Sequence, residues 1–129
     1  MSVFDRPVGR RHPIFLIAGP CVIESRDNAL STASRLAEIA QSLNLLVIYK
    51  SSFDKGNRSS GTSYRGPGLE EGLRILDDVR QETGLPLLTD VHTPEQAILA
   101  ADVVDVLQTP AFLCRQTDLI VAAVTTGRP

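Results

Sequence analysis

The sequence predicts an α/β fold in which short buried strands alternate with amphipathic helices around a parallel sheet. Three observations predict it. Four β-rich apolar runs lie at residues 14–18, 45–49, 85–91 and 103–107. Helix-length stretches with apolar residues at helical spacing follow them. The runs are continuously apolar, as in Leu45-Leu46-Val47-Ile48, which suits strands covered on both faces by crossover helices.

After the first strand, Leu30, Ala33, Leu36, Ala37, Ala40 and Leu43 mark one helix, with Ser25 or Asp27 as its N-cap. After the second, Leu69, Leu73, Leu76 and Val79 make a second apolar stripe. Glu70 and Arg74 fall at i,i+4 on that helix, and Gly84 suits the left-handed C′ position. The third helix announces its start, since Thr93 as N-cap, Pro94 at N1 and Gln96 at N3 form a capping box. A fourth runs over about 116–126 and is ended by Gly127.

Four βα units fit either a doubly wound sheet or part of a (βα)8 barrel. A complete barrel takes about 250 residues, so four units in 129 residues amount to the first half of one. A single domain over 1–129 is expected, because no linker, low-complexity tract or charge run divides the chain.

With 43% hydrophobic and 22% charged residues, the composition is that of a globular domain and not of a disordered chain. The formal net charge of −2 provides no long-range positive field for nucleic acid or an anionic membrane. Any anion site must therefore be a local cluster. No run reaches the roughly 18 apolar residues of a membrane span, and residues 1–13 lack the apolar core of a secretory signal, so a cytoplasmic location is expected. Cys21 and Cys114 lack metal-finger spacing and read as free thiols; each alone reads as a small buried hydrophobe.

Parallel βα folds place their chemistry beyond the C-terminal ends of the strands. Those positions are polar here: Gly19-Pro20-Cys21 and Glu24 after the first strand, then Lys50-Ser51-Ser52 and the segment that follows, then Asp90 and His92, then Gln108, Phe112 and Arg115. The segment over 50–67 is too long for a simple turn. It carries Lys50, Lys55, Arg58 and Arg65 against Asp54, among serines, glycines and Asn57. Arginine forks and lysine point charges together suit phosphate. A solvated basic loop is the plain alternative; a Walker-type glycine loop is absent. Asp90, two residues before His92 on one strand face, could orient the imidazole or bind a sugar hydroxyl. Phe112 alone reads as packing.

Four segments resemble one family. Ile17-Ala18-Gly19-Pro20-Cys21-Val22-Ile23-Glu24-Ser25, Lys50-Ser51-Ser52-Phe53-Asp54-Lys55 with Asn57-Arg58-Ser59-Ser60, Thr89-Asp90-Val91-His92, and 108–118 are similar to 3-deoxy-manno-octulosonate 8-phosphate synthases. The resemblance runs in order from Phe15 to the end of the chain. It implies a (βα)8 barrel, usually a homotetramer, that condenses phosphoenolpyruvate with arabinose 5-phosphate in lipopolysaccharide synthesis. It also implies that Lys50 and Lys55 face phosphoenolpyruvate and that Asn57, Arg58 and Ser59 hold the sugar phosphate. Asp90 and Gln108 would lie near the sugar or the reacting centre, and Phe112 and Arg115 near a subunit boundary.

The residue after Gly-Pro divides that family, with cysteine in its metal-dependent members. Cys21 accordingly implies a thiolate ligand to a divalent zinc, iron or manganese ion, the remaining ligands coming from later strands. The sister family that condenses phosphoenolpyruvate with erythrose 4-phosphate, the 3-deoxy-arabino-heptulosonate 7-phosphate synthases, shares the early Gly-Pro-Cys. Its lysine loop reads Lys-Pro-Arg-Thr-like, unlike Lys55-Gly56-Asn57-Arg58 here. Gly56 itself replaces the usual alanine. The ending at Pro129, before a fifth strand, suggests a fragment or truncated reading frame. Such a half-barrel is expected to be inactive alone and to self-associate, or to survive as a non-catalytic remnant that binds a phosphorylated ligand or a partner subunit.

Overall fold

The computed structural model describes residues 2–4, 6–57 and 60–129, with Ser2 and Val3 as backbone alone. A short antiparallel pair, β1 (Ser2–Val3) and β2 (Arg6–Pro7), comes first. Then follow β3 (Phe15–Ala18), α1 (Arg26–Leu43), β4 (Leu46–Lys50), α2 (Leu69–Thr83), β5 (Leu87–Asp90), α3 (Pro94–Ala101), β6 (Val106–Gln108), a 3-10 turn (Ala111–Leu113) and α4 (Thr117–Thr125). Strands β3 to β6 pair in parallel in sequence order. Each strand meets its successor after a helical crossover, the arrangement of half a (βα)8 barrel. The opening hairpin and the 3-10 turn lie outside the sequence expectation.

Local chemistry explains the helix ends. Ser25, in extended conformation, accepts from Asn28 N at 3.2 Å and is the α1 cap, which leaves Asp27 in the first turn. At the other end Asn44 is left-handed and Leu45 N donates to Ala40 O, a Schellman-type close. Leu43 is 61% exposed and does not continue the apolar stripe. Three residues beyond Ala40, the helix has rotated it about 60° further from the buried face.

On α2, Gly84 takes the left-handed cap at φ 67°. The expected Glu70–Arg74 pair does not form. Arg74 instead donates to Glu71 at 2.6 Å and to Asp78 at 3.3 Å, and the same Asp78 oxygen accepts from Arg26 of α1 at 2.7 Å across the helix pair. Thr93 caps α3 and accepts from Gln96 N, but the Gln96 side chain accepts from His92 N at 2.8 Å, one residue upstream of the expected partner. The capping box thereby fixes the backbone of His92.

β3 starts one residue inside its apolar run, and two strands are shortened further. β5 begins only at Leu87, since Pro86 has no N–H for a ladder. β6 begins only at Val106, because Val103 N and Val104 N both donate to Ala100 O and close the end of α3. The core lies between the sheet and its helices and includes Ile23, Tyr49, Leu76, Val79, Leu87 and Leu119. Fully burying a side chain such as Leu76 contributes about 2 kcal/mol. Strands β3 and β6 end the sheet. Among the described residues, the one bond beyond β6 is Leu107 N to Pro129 O at 3.0 Å, while Ile14 and Ile17 near the other edge are 70% and 53% exposed. No described helix is long and apolar enough to cross a membrane.

Candidate active site at the strand ends

The site begins with a close approach of backbones. Gly19, at φ 153°, follows β3, and a β-carbon there would stand 2.1 Å from the Lys50 carbonyl oxygen. Glycine lets the end of β3 lie against the end of β4. Beyond it, Val22 and Ser52 form a parallel bridge, with Ser52 N donating to Cys21 O and Ile23 N to Ser52 O. The register pairs Lys50 with Leu88 and Asp90 with Gln108. Two residues on from Lys50, Ser52 therefore arrives beside Asp90 on the same face.

These ends surround a cavity of about 300 Å3 lined by Cys21, Lys50, Ser52, Lys55, Gly56, Asn57, Asp90, His92, Gln108 and Phe112, with Pro110 and Ala111. Lys50 Nζ donates to Ser52 Oγ at 2.9 Å and lies 3.5 Å from Asp90 Oδ1; Ser52 Oγ donates to that same carboxylate oxygen. Asp90 Oδ2 faces His92 Nε2 at 3.4 Å, and His92 Nδ1 is buried without a hydrogen-bond partner among the described residues. The imidazole sits between Phe53, edge-on at 6.4 Å, and Phe112 at 6.3 Å. Gly56 completes this wall: a β-carbon there would come within 3.1 Å of His92 Nε2 and 3.4 Å of Phe112. A larger cavity, about 590 Å3, lies at α3 and α4, but it is lined by Ile98, Ala101, Ala122 and threonines, with one carboxylate, Asp102, and one cation, Arg128, whose Nε donates to Ala101 O. Chemistry favours the smaller one, where cations, a carboxylate and amides converge.

The loop over 51–68 is closed at its base by Lys55 N to Arg65 O at 2.6 Å and Gly68 N to Phe53 O at 3.1 Å. Arg65 forks onto Asp54, with Nη2 to Oδ2 at 2.8 Å, and Asp54 raises its already high pKa by hydrogen bonding and charge. Arg65 is thus committed to holding the loop and lines no part of the cavity, contrary to the sequence count that set it among phosphate-facing cations.

Of the sequence candidates, Cys21, Lys50, Lys55, Asn57, Asp90, Gln108 and Phe112 line the cavity. Arg115 is exposed and outside that lining, since the 3-10 turn carries the chain past Phe112 before Arg115 is reached. Arg58 and Ser59 lie outside the described residues. Ser52 and His92, which the sequence places among the strand-end polar residues without a ligand role, also line the cavity, as the strand period from Lys50 and from Asp90 requires. Both cysteines are exposed, not buried. Among the described residues no group of three His, Cys, Asp or Glu side chains could hold a metal ion. Cys21 is a single thiol donor at the cavity wall, so these residues do not by themselves fit a metal centre.

Parallel βα units in sequence order, with cations and a carboxylate gathered at the strand ends, are those of half a (βα)8 barrel. Residues 5–129 match the model of the DAHP synthetase I family, and the chain belongs to that family. Its curated relatives include proteins named 2-dehydro-3-deoxyphosphooctonate aldolase. That of Methylococcus capsulatus is 63% identical over 125 residues, 95% of this chain and 44% of the relative. Those of Bordetella petrii and Methylobacillus flagellatus are 62% and 60% identical, over 95% and 100% of this chain and 43% and 46% of the relative. The chain therefore spans less than half the length of the curated relatives it matches.

Proposed function

We propose that the chain carries the strand-end groups of an enzyme that condenses phosphoenolpyruvate with arabinose 5-phosphate and water. The products are 3-deoxy-manno-octulosonate 8-phosphate and phosphate, a cytoplasmic step towards lipopolysaccharide. The supporting observation is the convergence of Lys50, Lys55, Asn57, Asp90 and Gln108 on one cavity, in a chain whose relatives carry the octonate aldolase name. C3 of phosphoenolpyruvate attacks the aldehyde, water adds at C2, and phosphate leaves with cleavage of the C–O bond. Charge develops on the aldehyde oxygen and at C2, where preorganised cations and hydrogen-bond donors stabilise it.

In this reading Lys50 and Lys55 hold phosphoenolpyruvate, Asn57, Arg58 and Ser59 hold the sugar phosphate, and Asp90 and Gln108 meet the sugar or the reacting centre. Phe112 and Arg115 complete the sugar-phosphate end at a subunit boundary of a homotetramer. Cys21 supplies one thiolate to a divalent ion, zinc, iron or manganese, whose other ligands lie outside the described residues. Equal metal content after equilibrium dialysis in a full-length form and in its Cys21→Ala variant would remove that assignment.

A second reading is that the chain binds a phosphorylated ligand or a partner subunit without turnover, and the cations gathered at the strand ends serve it equally well. Calorimetric titration with phosphoenolpyruvate, arabinose 5-phosphate and erythrose 4-phosphate separates the cases. Affinity for the first two, lost in Lys55→Ala, supports the octulosonate reading; preference for erythrose 4-phosphate supports the sister activity. No affinity for any of the three removes both the catalytic and the binding readings for this chain.

A further inference from the structure

We infer that Ser52 is a positioning residue, a hydroxyl spacer that holds the Lys50 ammonium and the Asp90 carboxylate apart so that both stay available to a ligand in the strand-end cavity. The consequence for ligand binding rests on the proposed phosphoenolpyruvate site; the spacer geometry does not.

The hydrogen bonds have only one direction. An ammonium donates and cannot accept, an ionised carboxylate accepts and cannot donate, and a hydroxyl can donate once while accepting from another group. Ser52 Oγ therefore receives Lys50 Nζ at 2.9 Å and gives its proton to Asp90 Oδ1. The cation and the carboxylate oxygen remain 3.5 Å apart. Charge-assisted N–H···O contacts close to about 2.8 Å when nothing intervenes. Without the hydroxyl, Lys50 and Asp90 are expected to collapse into a contact pair, each neutralising the other and turning away from the cavity.

The backbone is built to hold the spacer. Ser52 is 3% exposed, and its N–H and C=O are both bonded to the segment after β3, through Cys21 O and Ile23 N. Neighbouring Ser51 is anchored as well, its Oγ donating to Pro20 O and its carbonyl accepting from Thr89 Oγ1. Ser52 therefore cannot follow its partners if they move, which a spacer requires.

The test is a double-mutant cycle on the 129-residue chain with wild type, Ser52→Ala, Asp90→Asn and the double variant, read two ways. The Lys50 side-chain ammonium resonance, assigned with Lys50→Arg, reports the geometry without any ligand. Ser52→Ala is expected to shift it clearly when Asp90 is present and roughly threefold less, or weaker still, in the Asp90→Asn background, where no carboxylate draws the cation. Phosphoenolpyruvate affinity is expected to fall about tenfold in Ser52→Ala and to change less than about twofold when the same substitution is made in the Asp90→Asn background. Equal resonance shifts in both backgrounds, or none in either, overturn the spacer. Coupled shifts with no phosphoenolpyruvate binding by wild type uphold the spacer and overturn the proposed ligand. Coupled shifts accompanied by a wild-type affinity that Ser52→Ala leaves intact overturn the claim that the spacer serves binding.

Discussion

The carbonyl oxygen of Lys50 occupies the place where a β-carbon on Gly19 would be, 2.1 Å away, so the first strand-end turn and the site lysine are packed backbone to backbone. Gly19→Ala must either push β3 from β4 or displace Lys50, and it also forces a side chain onto φ 153°. The expected cost is about 2 kcal/mol or more. A lower denaturation midpoint for Gly19→Ala, with weakened phosphoenolpyruvate binding, checks this; an unchanged midpoint would show that the two strand ends are free to separate.

Below the sheet, Asp105 accepts from Leu87 N at 2.8 Å and from Arg80 Nη2 at 2.9 Å, and Arg80 also reaches the Val103 carbonyl. This carboxylate ties α2 to the starts of β5 and β6. Asp105→Ala leaves the Leu87 amide and a partly buried guanidinium without their partner, at about 2 to 3 kcal/mol. Asp105→Asn keeps an acceptor and should lose less, and urea denaturation of the two variants gives the order.

Tyr49 is fully buried, and burial pushes its phenol from 10.0 up to about 12. Between those values the native chain binds more protons than the unfolded one. The contribution is therefore complete below about pH 10 and is lost as pH rises towards about 12, at about 1.4 kcal/mol per pH unit. Ultraviolet titration of tyrosinate in a Tyr64→Phe chain isolates Tyr49, and a midpoint near the ordinary value would contradict the burial.

Ile14 and Ile17 near β3, and Val121 and Val124 on α4, are each more than half exposed. Apolar surface beside an open strand edge favours association. Sedimentation of the 129-residue chain is expected to show concentration-dependent oligomers; a monodisperse monomer with cooperative unfolding would count against this.

Much of the fold is written in short-range chemistry. Apolar periodicity separates strands from helices, Ser25, Thr93 and Gly84 mark helix ends within one turn of themselves, and the βα order follows from their alternation. The same order locates the strand ends, so Lys50, Lys55, Asp90 and Gln108 could be named as strand-end candidates, and all four line the one cavity there. Local signals also have limits. Nothing near Arg74 in sequence reports that Arg26 of another helix draws Asp78 towards the pair, and composition cannot tell that Arg65 closes a loop on Asp54.

What the sequence by itself determined is which parallel strands and which α-helices form, in what order, and which polar residues stand at the strand ends. Each of these depends on neighbours within a few positions. Only the tertiary structure decided the register that sets Ser52 between Lys50 and Asp90, the contact of Gly19 with the Lys50 carbonyl, and the enclosure of His92 by Phe53 and Phe112. Those depend on how separate strands align and how closely their backbones approach, and a shift of one residue in register would turn Lys50 or Asp90 to the opposite face of the sheet.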